Sequence, residues 1–175
     1  MTTESSIRPA TAPGAPERTT DAHIQFVVCV VAGERYGIEV GRVHEIIRLT
    51  TITALPGVDR TFSGVINLRG RVIPVMDMRR RFGLPDADPT RLSRIVVADA
   101  GAAQIGLLVD AVDAVVSIDT SAIEPTPALT TGPAREHLTG IARATDGLIV
   151  VLDVDRLVDA AVTMPSAVPE PEASA

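Results

Sequence analysis

The stretch VINLRGRVIPVMDM, residues 65–78, decides how the chain is read. Two short runs of mostly branched aliphatic residues, 65–68 and 72–76, flank a break whose centre is Arg69-Gly70. Apolar runs of this length separated by a tight, glycine-bearing turn read as two paired strands. Asp77 closes the second run and is placed to cap a short helical turn, DMRRRFGL. The glycine is explained by the turn. Arg69 is not: it is either a solvated turn charge or half of a pair.

The pattern occurs twice. Residues 36–46 can be laid over 105–115 at an offset of 69 (106 − 37), which also sets Phe26 on Ile95 and Pro56 on Pro125. At an offset of 76 (153 − 77), Gly64-Val65-Ile66 meets Gly140-Ile141-Ala142, and Ile73, Val75 and Asp77 meet Ile149, Val151 and Asp153. The difference places about seven extra residues in a Pro-bearing loop of the second copy. The ordered region, 23–160, is therefore read as two related units of about 24–92 and 93–160. Asp77 and Asp153 end the same strand in each unit, so both are expected to be structural caps and not catalytic carboxylates. Further short runs at 24–31, 95–98 and 148–152 are bounded by Gly, Pro or Asp, while helical periodicity is scarce. The expectation is an all-β fold, barrels or a sandwich, with brief helical turns. Residues 1–22 and 161–175 are rich in Ala, Pro, Ser and Thr and are expected to be disordered tails.

Composition narrows the function. The 175 residues are 46% hydrophobic but only 2% aromatic, without Trp, so the core must be aliphatic. All 16 basic residues are Arg, against 22 acidic ones, a net charge of -6. That balance argues against a nucleic-acid backbone as the main ligand. A lone Cys29 within an apolar run, no secretory leader pattern and no apolar run of membrane-spanning length lead us to expect a soluble, cytoplasmic protein. Charge is unevenly divided: 24–95 carries 11 Arg and 7 acidic residues, and 96–158 carries 3 Arg and 9 acidic. Opposite signs on similar units suit mutual packing or head-to-tail association with a protein built the same way, unless Arg79-Arg80-Arg81 is merely a solvated face.

No catalytic constellation emerges. His23, His44 and His137 share no metal-ligand spacing with Cys29 or each other, and no nucleophile elbow or phosphate-binding glycine loop is present. No metal or cofactor is expected, and function falls to the surfaces. Two charges stand out there. Glu45 and Arg69 lie in apolar surroundings, and their counterparts are Ala114 and Thr145, so the repeated fold does not require them. A charge in a half-buried run is usually paired. Arg69 either reaches Glu45, or both reach into a binding groove, or Arg69 is an unpaired turn residue.

With these residues in view, the chain resembles the CheW family of bacterial chemotaxis coupling proteins. The resemblance rests on Gly37-Ile38, Val43, Glu45-Ile46-Ile47, Leu55-Pro56, Phe62, the run from Gly64 to Gly70, Val72-Ile73-Pro74-Val75, Asp77 and Arg79. In the second half Gly106, Val109-Asp110, Val112, Ile123-Glu124-Pro125 and Leu138-Thr139-Gly140 agree. Met76 and Met78 depart from the branched aliphatics usual there. The resemblance implies two five-stranded SH3-like β-barrels around a shared aliphatic core, with strands possible to exchange between barrels. It also implies a non-enzymatic adapter joining the cytoplasmic tips of chemoreceptors (methyl-accepting proteins) to the regulatory domain of a CheA-type histidine kinase. Glu45 and Arg69 match a family charge pair at the partner-facing surface. Val43, Gly64, Asn67, Gly106 and Val112 match partner-binding positions, although a turn or bulge would equally explain the glycines. Two other readings stay open: a CheW-like adapter of a twitching-motility or developmental pathway, and a small β-barrel ligand binder, which the scarcity of aromatics disfavours.

Overall fold

The computed structural model describes residues 22–127 and 135–159; apart from Ala22, the tails expected to be disordered lie outside the described residues. Eleven strands are present among the described residues: β1 His23–Val31, β2 Glu34–Glu39, β3 Val43–Arg48, β4 Phe62–Leu68, β5 Arg71–Asp77, β6 Arg94–Ala100, β7 Ala103–Val109, β8 Ala111–Asp119, β9 Ile123–Pro125, β10 Leu138–Ala144 and β11 Gly147–Leu152. The helices α1, Met78–Arg81, and α2, Val154–Asp159, follow β5 and β11. Two-residue turns with positive φ join β1 to β2 (Ala32 51°, Gly33 81°) and β4 to β5 (Arg69 53°, Gly70 81°). That backbone matches the right-handed twist of the flanking strands.

The strands form two sheets, in the orders β8-β1-β2-β11-β10-β9 and β3-β6-β7-β5-β4. The sheets do not follow the sequence halves: β1 and β2 lie with the later strands, and β6 and β7 lie with the earlier ones. The seam is parallel in both, with Val75 beside Gly106 and Val151 beside Gly37. In the six-stranded sheet the two outermost strands, β8 and β9, are consecutive in the chain and joined only through the 3-10 turn Thr120–Ala122, so the sheet returns on itself. In the other sheet the chain leaving β3 reaches the far edge, where Thr53 bridges Val65. The barrels therefore differ from five strands apiece only in that one of them makes this closing segment a full strand, β9.

The local devices are duplicated as well. The register slips between Phe62 and Gly64 and again between Leu138 and Gly140. A Cβ on Gly64, whose φ is 143°, would sit 2.1 Å from the Thr53 carbonyl oxygen, and one on Gly140 would sit 2.4 Å from that of Glu124. Asp77 accepts hydrogen bonds from the amides of Arg79 and Arg80, and Asp153 from that of Arg156.

Three apolar clusters fill the interior. Phe26, Val28, Ile118, Ala142, Ile149 and Val151 fill one barrel; Ile66, Ile73, Val75, Ile95 and Val97 fill the other. The largest cluster lies between them and draws Val27, Cys29 and Val31 from β1 and Val96 and Ala98 from β6. Alternate residues of β1 and β6 thus enter different cores, which is why both strands read as unbroken apolar runs. Cys29 is one of these core residues, and burial pushes its thiol up to about 12, leaving it unreactive as a nucleophile. Tyr36 stacks on Phe82 in the same shared core, with ring centroids 4.8 Å apart.

Candidate functional site

The turn between β4 and β5 displays the charge singled out in the sequence. Asn67 Oδ1 accepts from the Gly70 amide at 3.0 Å, which locks the turn. Asn67 is thus a turn-forming residue. Arg69 sits at the first positive-φ position, where a β-carbon costs about 1–2 kcal/mol and Asn or Gly is the easier choice. Its guanidinium donates to Glu45 Oε2 at 3.4 Å. Arg69 is 77% exposed and Glu45 21%, so the expected half-buried pair is one-sided: a sheltered carboxylate on β3 under an exposed guanidinium. β3 and β4 are the outer strands of the five-stranded sheet, so the pair spans the closing seam of that barrel.

The remaining positions are half-buried or buried. Val43 and Val112 occupy equivalent places on β3 and β8, half-buried against the shared core, and neither supplies an exposed groove. Gly64 and Gly106 are buried. Gly64 is required by the close pass of Thr53, and a Cβ on Gly106 would lie 2.8 Å from Ile95 Cγ2 and 3.3 Å from Val75 Cγ2. Of the two explanations offered for these glycines, the structure supplies the packing one: the atoms that approach each of them closely belong to this chain itself.

The sequence reading missed the ion pairs between the two units. Arg79 Nε and Nη2 donate to Asp110 at 2.9 and 2.6 Å, Arg42 Nη2 to Asp155 at 2.6 Å, and Arg35 Nη2 to Asp113 at 3.1 Å. Each joins an Arg of the earlier unit to an Asp of the later one, so the uneven charge serves mutual packing. Asp110 also accepts from the Ala32 amide at 2.8 Å. Its hydrogen bonds from Arg79 hold its carboxyl below the usual range and raise the Arg79 guanidinium. The three consecutive arginines are not a solvated face. Arg80 donates to Asp86 and the Arg60 carbonyl, while Arg81 Nε and Nη2 are buried with no hydrogen-bond partner among the described residues. Arg81 takes the place in α1 that the core residue Leu157 takes in α2. Buried His137 lies near it, its pKa lowered by burial and by the Arg81 charge, with Nδ1 3.2 Å from the Arg156 carbonyl oxygen.

Exposed apolar side chains also recur. Ile46 and Val115 are equivalent, as are Val72 and Leu148, and all four stand out of the surface at 39, 59, 65 and 59% exposure. The offsets of 69 and 76 already related them, but not their exposure. No group of three or more His, Cys, Asp or Glu residues that could hold a metal occurs among the described residues.

Comparison with known proteins identifies the architecture. A sequence model of the CheW-like domain matches residues 25–162. The chain belongs to the CheW family. It is 33% identical to a probable chemotaxis protein CheW of Rhizobium etli, over 76% of this chain and 86% of that one. With the Bacillus subtilis chemotaxis protein CheW the identity is 32%, over 77% and 86% of the two chains. The crystal structure of the scaffolding protein TtCheW from Thermoanaerobacter tengcongensis superposes with a TM-score of 0.72 at 36% identity, covering 77% of this chain and 91% of that one. CheW-family members are scaffold proteins of chemotaxis and not enzymes, in keeping with the all-β double-barrel fold. No helix among the described residues is long and apolar enough to cross a membrane.

Proposed function

We propose that this chain is the adapter that couples the cytoplasmic tips of chemoreceptors to the regulatory domain of a CheA-type histidine kinase, working in the cytoplasm at receptor arrays beneath the inner membrane. The observation that carries the proposal is Arg69: an exposed guanidinium held by Glu45 at a position whose backbone favours Asn or Gly. A charge kept against a backbone preference is an argument for a use at the surface. Val43, Val112, Gly64 and Gly106 act from behind that surface by setting strand positions, and Asn67 fixes the turn that presents Arg69. The apolar positions repeated on both barrels, Ile46 with Val115 and Val72 with Leu148, support head-to-tail contacts with other CheW-like domains, because each barrel offers a partner similar apolar area.

Calorimetric titration of the full chain with the kinase regulatory domain tests the proposal. A saturable one-to-one complex is expected, weakened roughly tenfold by Arg69→Glu or by Glu45→Arg and partly restored when both are present. Absence of binding at tens of micromolar removes this kinase as partner; equal loss in all three variants shows that binding does not depend on the two residues pairing.

A further inference from the structure

The two units grip each other at two corresponding places. α1 is held to the end of β7 by Arg79 and Asp110, and α2 to the turn after β2 by Asp155 and Arg42. Arg79 and Asp155 occupy the same helical position, two residues beyond the caps Asp77 and Asp153. Their partners come from adjoining equivalent positions, since Asp110 corresponds to Gly41 and Arg42 to Ala111. The polarity is reversed between the two places: the helix supplies the cation in one and the anion in the other. In both, the cation belongs to the earlier unit and the anion to the later one.

This reversal bears on a hazard of the topology. Each barrel is completed by a hairpin from the other unit: β1 and β2 close one, β6 and β7 the other. The units also share seam, bulge and cap, so the backbone alone permits the first unit of one copy to be completed by the first unit of another. In that assembly Arg79 would meet Arg42, and in its second-unit counterpart Asp155 would meet Asp110. Both meetings are repulsive. Arg35–Asp113 adds to the preference, because the equivalent residues, Gln104 and His44, carry no opposite charges.

We infer that the reversed polarity of these two ion pairs is a pairing code that admits the union of the first unit with the second and excludes like-with-like exchange with a second copy of the chain. Neither bond needs to be strong for this. What discriminates is that every like pairing puts two like charges where the native fold puts opposite ones.

The test uses the full chain, refolded from urea at high protein concentration and sized by light scattering after chromatography. Wild type should return as monomer. Arg42→Asp with Asp155→Arg keeps an ion pair within each chain but makes like-with-like pairing attractive, and its dimer fraction should rise roughly tenfold. Arg79→Asp with Asp110→Arg carries the same expectation, so a folding failure in one double variant leaves the other to decide. Reversing both pairs together restores the repulsion and should return the monomer despite four substitutions. Double variants as monomeric as wild type would overturn the inference, as would a quadruple variant that dimerises as much as the doubles. Wild type refolded in about 1 M salt, where screening is short-ranged, should also gain dimer; no gain there together with no gain in a folded double variant overturns it as well.

Discussion

Arg69 and Gly64 are a few residues apart on one hairpin and answer to different demands. Arg69 opposes its own backbone, so Arg69→Asn, which produces the favoured Asn-Gly turn, should stabilise the fold by about 0.5–1 kcal/mol in urea titrations while weakening kinase binding. A variant that loses both stability and binding would show that the arginine serves the fold. Gly64 obeys its backbone: Gly64→Ala places a methyl group against the Thr53 carbonyl at φ 143° and should cost about 2–4 kcal/mol, read as a lowered urea midpoint. The sequence singled out both residues but could not separate their roles. NLRG announces a turn whatever Arg69 faces, and a glycine needed for a backbone eleven residues away looks the same as one needed for a partner.

At the scale of elements, α1 and α2 are only four and six residues long and are held by caps and ion pairs more than by helical propensity. Asp110 binds Arg79 and the Ala32 amide together, so Asp110→Asn should lower stability at neutral pH by about 1–2 kcal/mol, allowing for partial exposure. Because its folded pKa lies below the ordinary value of 3.8, this stabilisation is present above that value and is lost as pH falls through the folded pKa. His137 acts earlier in an acid titration. Its folded pKa lies below 6.5, so the unfolded chain takes up the proton first, and stability declines as pH drops below 6.5 toward the folded pKa. Urea midpoints measured across that window should fall for wild type and stay flat for His137→Asn. The caps were legible because Asp77 and Asp153 recur at one offset with a helix start behind each. The ion pairs were not, because opposite charges 31 and 113 residues apart carry no local signal.

For the whole molecule, the sequence read as two related units of β-structure, and the offsets of 69 and 76 relate the strands, bulges and caps that the structure contains. Which hairpin completes which barrel was not readable. Hairpins are written in their turns, whereas the parallel seams at Val75–Gly106 and Val151–Gly37 join strands distant in the chain and leave no turn residue to announce them. The result is a body without a catalytic centre among its described residues, with the Arg69 hairpin tip held by Glu45 and equivalent apolar positions on both barrels. It belongs to a family of chemotaxis scaffold proteins. The most direct measurement is therefore one of bridging: sedimentation of a CheA-type kinase with receptor-bearing membranes, with and without this chain. The expected result is that the chain increases the kinase recovered with the membranes and that Arg69→Glu reduces the increase. Kinase recovery unchanged by the chain, at concentrations where the chain itself sediments with the receptors, would contradict the adapter function.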